Sequence, residues 1–295
     1  MKYSFLTLQQ PMDALIRNVS RELLLPAFEK GISPDMIDHK DDKSIVTSVD
    51  IEAQRIFEEE LTKLIPGSCV IGEENSDLKP TADTFKTSEY AWIVDAVDGT
   101  HHFVTHNPAF TTMVCLCYKQ QPIYGWVYLP TEDRLFSGGS GVGVFDNGKK
   151  LQRDTQPQPL HELVGSLSPD AFGLFEKGVI ENCKKFAGLK RHLCAGYKFA
   201  GLLTDALDFA AFGRAAPWDL AAGFVLLEEK GGHAATWHNT PLDLYTIWEH
   251  KREWYLATSR KDQWQDIHNG IFEGVTPPGV AAPGMFDLLL NPKVS

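Results

Sequence analysis

The sequence predicts a mixed fold of helices and strands, α+β in its first half and α/β in its second. Two amphipathic segments come first, one from about Thr7 to Lys30, which Pro26 ends or kinks, and one that begins at Asp50. Short strands joined by polar turns follow, at Phe110–Tyr118, Ile123–Tyr128 and Arg134–Ser137. Because consecutive strands with tight turns pair antiparallel, these predict a meander.

After about Leu151 the pattern changes to strands that alternate with helices, which is typical of an α/β unit. The alternating segments are Leu163–Leu167, Ala171–Lys185, Gly196–Ala206 and Ala216–Lys230. Gln152–Pro159 contains two prolines and gives the best boundary. We therefore expect an N-terminal α+β domain, residues 1–152, and a C-terminal α/β domain, residues 153–295.

Composition limits the class of protein. The chain has 295 residues, 43% of them hydrophobic, which is enough for one large core or two smaller ones. Its formal charge of −11 argues against a nucleic-acid surface, and no apolar run approaches the roughly 20 residues of a membrane span. The five cysteines lie mostly in apolar stretches without zinc-ligand spacing. We expect reduced core cysteines and, since no signal peptide is evident, a cytoplasmic protein with no membrane or nucleic-acid partner.

The segment Trp92–Thr100 carries the strongest chemical signal. An apolar strand ends in Asp95 and Asp98, three residues apart, and Gly99 allows a sharp turn whose amide can face an anion. A lone pair of this kind is more often a β-turn whose aspartates bond the local backbone. Further acidic motifs elsewhere make a cation site the better interpretation.

Three other acids are candidates for the same site. Glu73 follows a glycine after a short strand, Asp50 opens a helix, and Asp219 heads the apolar helix Leu220–Leu227. Each has a plainer alternative: a solvated loop for Glu73 and a helix cap for Asp50 and Asp219. A capping residue can still face a site, and a buried Asp219 needs helix amides or a metal to offset its desolvation.

Together these residues predict a magnesium-dependent phosphate site. Glu73, Asp95, Asp98 and Asp219 supply oxygen-only ligands, which Mg²⁺ prefers, and two or three such ions can clamp a phosphate. Thr100 can relay a proton from water to Asp50.

The chain resembles the inositol monophosphatase superfamily of Mg²⁺-dependent, Li⁺-sensitive phosphatases. Four blocks carry the resemblance in matching order and spacing: Lys40 to Asp50, Gly72-Glu73-Glu74, Trp92 to Phe103, and Trp218 to Gly232. The resemblance implies a layered α-β-α-β-α sandwich of the sugar-phosphatase type, and it suggests a homodimer.

The resemblance also implies a role for each site residue. Glu73, Asp95 and the Ala96 carbonyl would hold one Mg²⁺, Asp95, Asp98 and Asp219 a second, and Glu73 with water a third. Thr100 with Asp50 would activate the water. The residues implied near the substrate are Gly99, Thr100, Tyr197, Lys198 and Asp219.

The substrate is the least determined feature. Ala96 and His102 replace the family's usual proline and asparagine, and the usual acid before Trp218 is not evident. An inositol monophosphate-like ester is expected, and histidinol phosphate, phosphoadenosine phosphate and fructose bisphosphate stay open. Lys198 is either a contact for a second phosphate or carboxylate or a solvated side chain. A regulatory binding protein on the same fold is the non-enzymatic alternative, and the intact catalytic positions favour a phosphoric monoester hydrolase.

Two further motifs indicate structural and not chemical roles. Gly138–Gly143 lacks the Gly-Lys-Ser/Thr ending of a phosphate loop, so we predict a glycine-rich strand turn. His101, His102 and His106 are expected to be surface or packing residues.

Overall fold

The computed structural model describes residues 2–33, 36–39, 45–74, 78–152, 156–167, 176–190, 193–213, 216–241, 243–244 and 254–275. Helices and two large sheets stack in five layers, helix, sheet, helix, sheet, helix, as expected for the layered sandwich. Within these ranges we find no helix with both the length and the apolar character needed to cross a membrane.

The first helical layer is one nearly continuous run followed by a longer helix. It comprises α1 (Phe5–Val19), a wider π-helical turn (Ser20–Leu24), α2 (Leu25–Lys30) and α3 (Ser48–Leu64). The run begins two residues before the predicted start because Ser4 caps it by accepting the Thr7 amide. Pro26 is the second residue of α2, directly after the π-helical turn, and the helical run continues past it to Lys30, so Pro26 does not end the run.

A seven-stranded sheet forms the second layer. Its strands, in spatial order, are β3 (Cys69–Gly72), β4 (Tyr90–Asp98), β5 (Thr111–Tyr118), β6 (Gln121–Leu129), β7 (Arg134–Gly139), β8 (Gly143–Asp146) and β9 (Lys149–Lys150). Strand β3 runs parallel to β4, and the others pair antiparallel, so the predicted meander is confirmed and extends by two strands. The unpredicted helix α4 (Leu78–Thr87) joins β3 to β4, and the short α5 (Thr100–Val104) follows β4. A small two-stranded sheet of β1 (Ile37–His39) and β2 (Ile45–Thr47) precedes α3.

The glycine-rich turn of the sheet is held by a carboxylate. Both oxygens of Glu229 accept main-chain amides of the turn between β7 and β8, from Gly141 at 3.0 Å and Gly143 at 2.8 Å. These donors are therefore already engaged, in agreement with a structural turn and not a phosphate loop.

The second sheet lies on the other side of a central helical layer. Helices α7 (Ala195–Leu203) and α8 (Pro217–Lys230) pack between the two sheets, and Leu220 to Leu227 are buried throughout. The strands of the second sheet, in spatial order, are β11 (Gly188–Lys190), β10 (Val164–Ser166), β12 (Phe209–Gly213), β14 (Trp254–Thr258) and β13 (His233–Thr236). Helices α6 (Glu176–Cys183) and α9 (Trp264–Phe272) cover its outer face. The first five residues of the predicted helix Ala171–Lys185 lie outside the described ranges.

Candidate metal centre

Strand β4 ends in a bulge that brings two aspartates to one side. Asp95 lies opposite Met113 and Asp98 lies opposite Thr111, so three steps along β4 face only two along β5. In a regular strand, side chains three residues apart point to opposite faces. The one extra residue therefore restores a common direction for Asp95 and Asp98.

Asp219 completes a cluster of three carboxylates. Ligand oxygens of Asp95, Asp98 and Asp219 all lie within 4.8 Å of one another. Asp219 is the third residue of α8, and its Oδ2 accepts the Ala216 amide at 2.6 Å. Ala216 is the cap residue of α8, and Asp219, three residues on, accepts its amide and also faces the other two acids, where the positive end of the helix dipole favours its charge.

The Asp98 carboxylate is held from three directions. Its Oδ2 accepts the Thr111 hydroxyl and the Gly196 amide, both at 2.6 Å, and its Oδ1 accepts the Ala195 amide at 3.2 Å. Two of these donors are the first amides of α7, so the sheet and the central layer meet at this side chain.

Glu73 reaches the same edge from the neighbouring strand. Because β3 and β4 are parallel, with Gly72 opposite Val94, the residues that follow both strands emerge side by side. The Glu73 amide donates to the Val94 carbonyl at 3.3 Å. The negative charge of Glu73 raises the pKa values of Asp95 and Asp219, which places it within electrostatic range of both.

The cluster is electrostatically strained without a cation. Burial, then the nearby charges of Glu73 and Asp98, raise the pKa values of Asp95 and Asp219 well above the ordinary range of an aspartate. A group of oxygen-only donors with surplus negative charge, in which Asp95 and Asp98 are buried and Asp219 is half-buried, fits a hard divalent ion such as Mg²⁺.

Asp50 and Thr100 form a hydrogen-bonded pair beside the cluster. The Thr100 hydroxyl lies 3.1 Å from Asp50 Oδ1 and equally 3.1 Å from the Val97 carbonyl. The sequence suggested that Asp50 could be the cap of its helix, but another residue takes that position. Thr47 is the cap, and Asp50, three residues on, accepts the Thr47 amide and hydroxyl in a capping box. Burial raises the pKa of Asp50 to about 6, against the hydrogen bonds from Thr47 and Thr100 that lower it.

The main-chain carbonyls between the two aspartates are engaged differently. The Ala96 carbonyl, which the resemblance implied as a metal ligand, accepts the Thr112 hydroxyl of β5 at 2.8 Å. The Val97 carbonyl faces the Thr100 hydroxyl, on the side of Asp50. The Val97 carbonyl thus faces the Asp50 side of the strand end, whereas the Ala96 carbonyl faces β5.

Gly99 provides the turn between β4 and α5. It has φ of 86°, in the left-handed region that suits glycine, and an added Cβ would approach the Cys194 side chain to 2.9 Å. The tight turn brings Thr100 back toward Asp50.

The residues expected near the substrate occupy different places. The Tyr197 hydroxyl donates to Glu132 at 2.9 Å and lies 3.3 Å from the Pro108 carbonyl. Burial raises the pKa of this phenol to about 12. Lys198 is buried and donates to the Ala211 carbonyl at 2.9 Å, so the solvated alternative was wrong.

Cysteines and histidines take packing roles where the structure describes them. All five cysteines are free thiols, and Cys115, Cys117 and Cys183 are buried, as expected for reduced core residues. A ring nitrogen of His102 contacts the Ala109 carbonyl at 2.8 Å, which fixes the loop after α5.

Comparison with known proteins gives a consistent result. The sequence model of the inositol monophosphatase family matches residues 10–265. A fructose-1,6-bisphosphatase/inositol-1-monophosphatase of Aquifex aeolicus is 28% identical over 205 residues, 68% of this chain and 75% of that protein. Inositol monophosphatase 2 of Rattus norvegicus is 31% identical over 213 residues, 68% of this chain and 70% of that protein. The structure of an IMPase from Thermotoga maritima aligns with a TM-score of 0.75 at 24% identity, covering 91% of this chain and 99% of that one.

Proposed function

Because the chain belongs to the inositol monophosphatase family, we propose that it is a Mg²⁺-dependent phosphomonoesterase that hydrolyses a small phosphate ester. The observation that supports this most directly is the convergence of Asp95, Asp98 and Asp219, whose oxygens lie within 4.8 Å of one another. These acids come from a strand end and a helix start far apart in the chain, an arrangement that local backbone bonding does not require.

The ligands are assigned from the donors present. Glu73, Asp95 and a main-chain carbonyl would hold one Mg²⁺, and Asp95, Asp98 and Asp219 would hold a second. Glu73 with water would hold a third, loosely bound ion. For the carbonyl we propose Val97 in place of Ala96, since the Val97 oxygen points toward Thr100 and Asp50 and the Ala96 oxygen points toward Thr112 on β5. When bound, Mg²⁺ supplies Lewis-acid stabilisation of phosphate oxygens and lowers the pKa of water.

The proton of the attacking water passes to the Thr100 and Asp50 pair. Asp50 Oδ1 accepts the Thr100 hydroxyl proton, and the Thr100 oxygen is then free to accept a proton from water. Gly99 and Thr100 amides hold phosphate oxygens at the start of α5. The water attacks phosphorus directly, and no covalent phosphoenzyme forms.

The wider setting of the enzyme is also a proposal. The substrate is an inositol monophosphate-like ester, with histidinol phosphate, phosphoadenosine phosphate and fructose bisphosphate as alternatives. Residues 1–152 form one domain with most ligands, and residues 153–295 form a second that supplies Asp219 and substrate contacts. We infer a cytoplasmic homodimer that is inhibited when Li⁺ replaces one Mg²⁺.

A panel of phosphate esters assayed for released phosphate tests the activity. Each ester is incubated with Mg²⁺, with a chelator, and with Mg²⁺ plus Li⁺. We expect turnover only with Mg²⁺, reduced by Li⁺. The absence of Mg²⁺-dependent release from every ester would contradict the proposal and favour a binding protein.

The ligand assignment is tested with Asp95→Asn, which removes one negative charge from the carboxylates that would hold the ions. Turnover should fall at least about a hundredfold while the far-ultraviolet circular dichroism spectrum stays that of the wild type. Asp266→Asn removes an equivalent charge from the exposed surface of α9 and should leave turnover unchanged. A near-normal rate for Asp95→Asn would exclude the ligand scheme.

A further inference from the structure

Lys198 is a buried lysine of the central layer, on the helix whose first amides hold the Asp98 carboxylate. Its side chain extends from α7, and the residue is 7% exposed. The Nζ donates to the Ala211 carbonyl at 2.9 Å and lies 5.1 Å from the centroid of the Phe212 ring. An ammonium taken out of water needs nearby negative charge to offset its desolvation.

That negative charge is provided by the candidate metal ligands. Burial lowers the pKa of Lys198, and the charges of Asp98, Cys194 and Asp219 raise it. In return, Lys198 lowers the pKa of Asp219. The lysine and two of the clustered carboxylates therefore lie within electrostatic range of one another.

The position of Lys198 is fixed by the helix that also holds Asp98. The first amides of α7, those of Ala195 and Gly196, donate to the Asp98 carboxylate. Lys198 follows two residues later on the same helix, and its far end is held by the Ala211 carbonyl on β12. One rigid element thus fixes both a ligand and a positive charge.

We propose that Lys198 is a built-in countercharge of the metal site, which offsets one clustered carboxylate and so weakens Mg²⁺ binding to Asp95, Asp98 and Asp219. This inference rests on the proposed function, since it requires Mg²⁺ at the cluster. It also assigns Lys198 a role other than contact with a second phosphate, because its ammonium is buried and donates to a main-chain carbonyl.

The physical effect is a repulsion between a fixed cation and a divalent ion. Three carboxylates without a countercharge attract Mg²⁺ more strongly than three carboxylates beside an ammonium. Weaker binding keeps the ion exchangeable, which suits a site that must release phosphate together with its metal contacts. The inference therefore predicts that removing the lysine charge tightens Mg²⁺ binding.

The test compares Lys198→Met with the wild type by calorimetric titration of Mg²⁺ into metal-free protein. The dissociation constant should fall by about tenfold, the change that a 1.4 kcal/mol electrostatic term produces. By linkage, the rise in melting temperature on saturation with Mg²⁺ should also be larger than in the wild type. Lys198→Arg keeps the charge and should keep the wild-type Mg²⁺ affinity.

Lys230 provides a matched control. It is also a buried lysine, and its Nζ lies 2.8 Å from both carboxylate oxygens of Asp205, at the opposite end of α8 from Asp219. Lys230→Met removes a buried cation without altering the cluster, so it should lower stability and leave the Mg²⁺ affinity unchanged.

Each result decides the question. Unchanged or weaker Mg²⁺ binding by Lys198→Met would overturn the inference, as would tighter binding by Lys198→Arg or by Lys230→Met. If Lys198→Met and Lys198→Gln both fail to fold even with saturating Mg²⁺, the role of Lys198 is the Ala211 hydrogen bond and the inference is also wrong. A wild-type protein that binds no Mg²⁺ would instead overturn the proposed function itself.

Discussion

Asp98 Oδ2 accepts the main-chain amide of Gly196 at 2.6 Å, across 98 residues of sequence. The bond joins the end of β4 to the first turn of α7, so the end of a helix in the central layer positions an acid of the first sheet. A carboxylate at a helix N-terminus is stabilised by unpaired amides and the helix dipole. The direction of this acid therefore depends on how closely α7 approaches β5.

Gly196→Ala should separate α7 from β5. An added Cβ would overlap the Thr111 side chain, which itself donates to Asp98, so the helix or the strand must move. We expect a loss of about 1–3 kcal/mol in the free energy of unfolding. We also expect at least tenfold weaker Mg²⁺ binding, since displaced supporting contacts typically cost 10- to 100-fold in metal affinity.

Gly188→Ala is the control for this substitution. No atom lies within 4 Å of a Cβ added at Gly188, and the residue is on the edge strand β11. Denaturant unfolding and calorimetric Mg²⁺ titration of both variants make the comparison. Wild-type Mg²⁺ affinity for Gly196→Ala would show that the approach of α7 does not position Asp98.

The pattern of the sequence was sufficient to predict the strands of the meander and the apolar helix after Asp219, because both depend on local periodicity. It was not sufficient for the bulge between Asp95 and Asp98, since an extra residue in one strand changes pairing and not composition. Strand β14 pairs antiparallel with β12 and with β13, although the alternation of strands and helices predicted an α/β unit. Local periodicity does not reveal the direction of pairing, because the partner strands are separated in sequence.

The acids of the candidate site could be predicted from the sequence, but the residues that hold these acids in place could not. Each acidic motif alone had a plainer interpretation, and only their combination indicated a metal site, whereas Thr111 is indistinguishable from any buried strand threonine until its partner is known. Lys198 was assigned to solvent or to substrate because lysines are rarely buried, and only the tertiary fold places it beside acids.

Two adjacent threonines of β5 hold different groups, one the Asp98 carboxylate and the other a main-chain carbonyl. The Thr111 hydroxyl donates to Asp98 at 2.6 Å, and the Thr112 hydroxyl donates to the Ala96 carbonyl at 2.8 Å. Valine at either position should cost about 1 kcal/mol of stability for a buried hydrogen bond. Thr111→Val should also weaken Mg²⁺ binding about tenfold.

Thr112→Val should keep the wild-type Mg²⁺ affinity, because we assign the ligand carbonyl to Val97. Calorimetric titration of the two variants measures the difference. Tighter binding by Thr112→Val would return the assignment to Ala96, whose carbonyl the substitution frees.

The metal-free protein should lose stability as the pH rises. The pKa of Asp50 is raised from 3.8 to about 6 by burial, and burial also raises the pKa values of Asp95 and Asp219 well above the ordinary range. A raised carboxyl pKa means that the folded state holds the proton more tightly, so its stability contribution is complete below pH about 4 and disappears as the pH passes the folded pKa. In chelator, the melting temperature should fall from pH 5 to pH 8, and Mg²⁺ should reverse the fall.

Asp13 provides a control, because it is a half-buried acid outside the carboxylate cluster. Burial also raises its pKa to about 6, yet it lies on α1 beside Trp126. Asp13→Asn should make the fall in melting temperature with pH smaller and keep the stabilisation by Mg²⁺. Asp219→Asn should also make this fall smaller, but it should lose most of the stabilisation by Mg²⁺. A melting temperature in chelator that rises from pH 5 to pH 8 would contradict the assignment.

Thr100→Val should separate catalysis from metal binding. The substitution removes the hydroxyl that lies 3.1 Å from Asp50 Oδ1 and leaves the carboxylate cluster in place. Because a positioned proton acceptor contributes typically 10²- to 10⁴-fold, we expect kcat to fall by about that factor. Thr100→Ser keeps the hydroxyl and should recover most of the rate. Mg²⁺ affinity measured by calorimetry should not weaken in either variant, since Thr100→Val only frees the Val97 carbonyl from the Thr100 hydroxyl. A Thr100→Val enzyme with normal kcat would exclude the relay from water through Thr100 to Asp50.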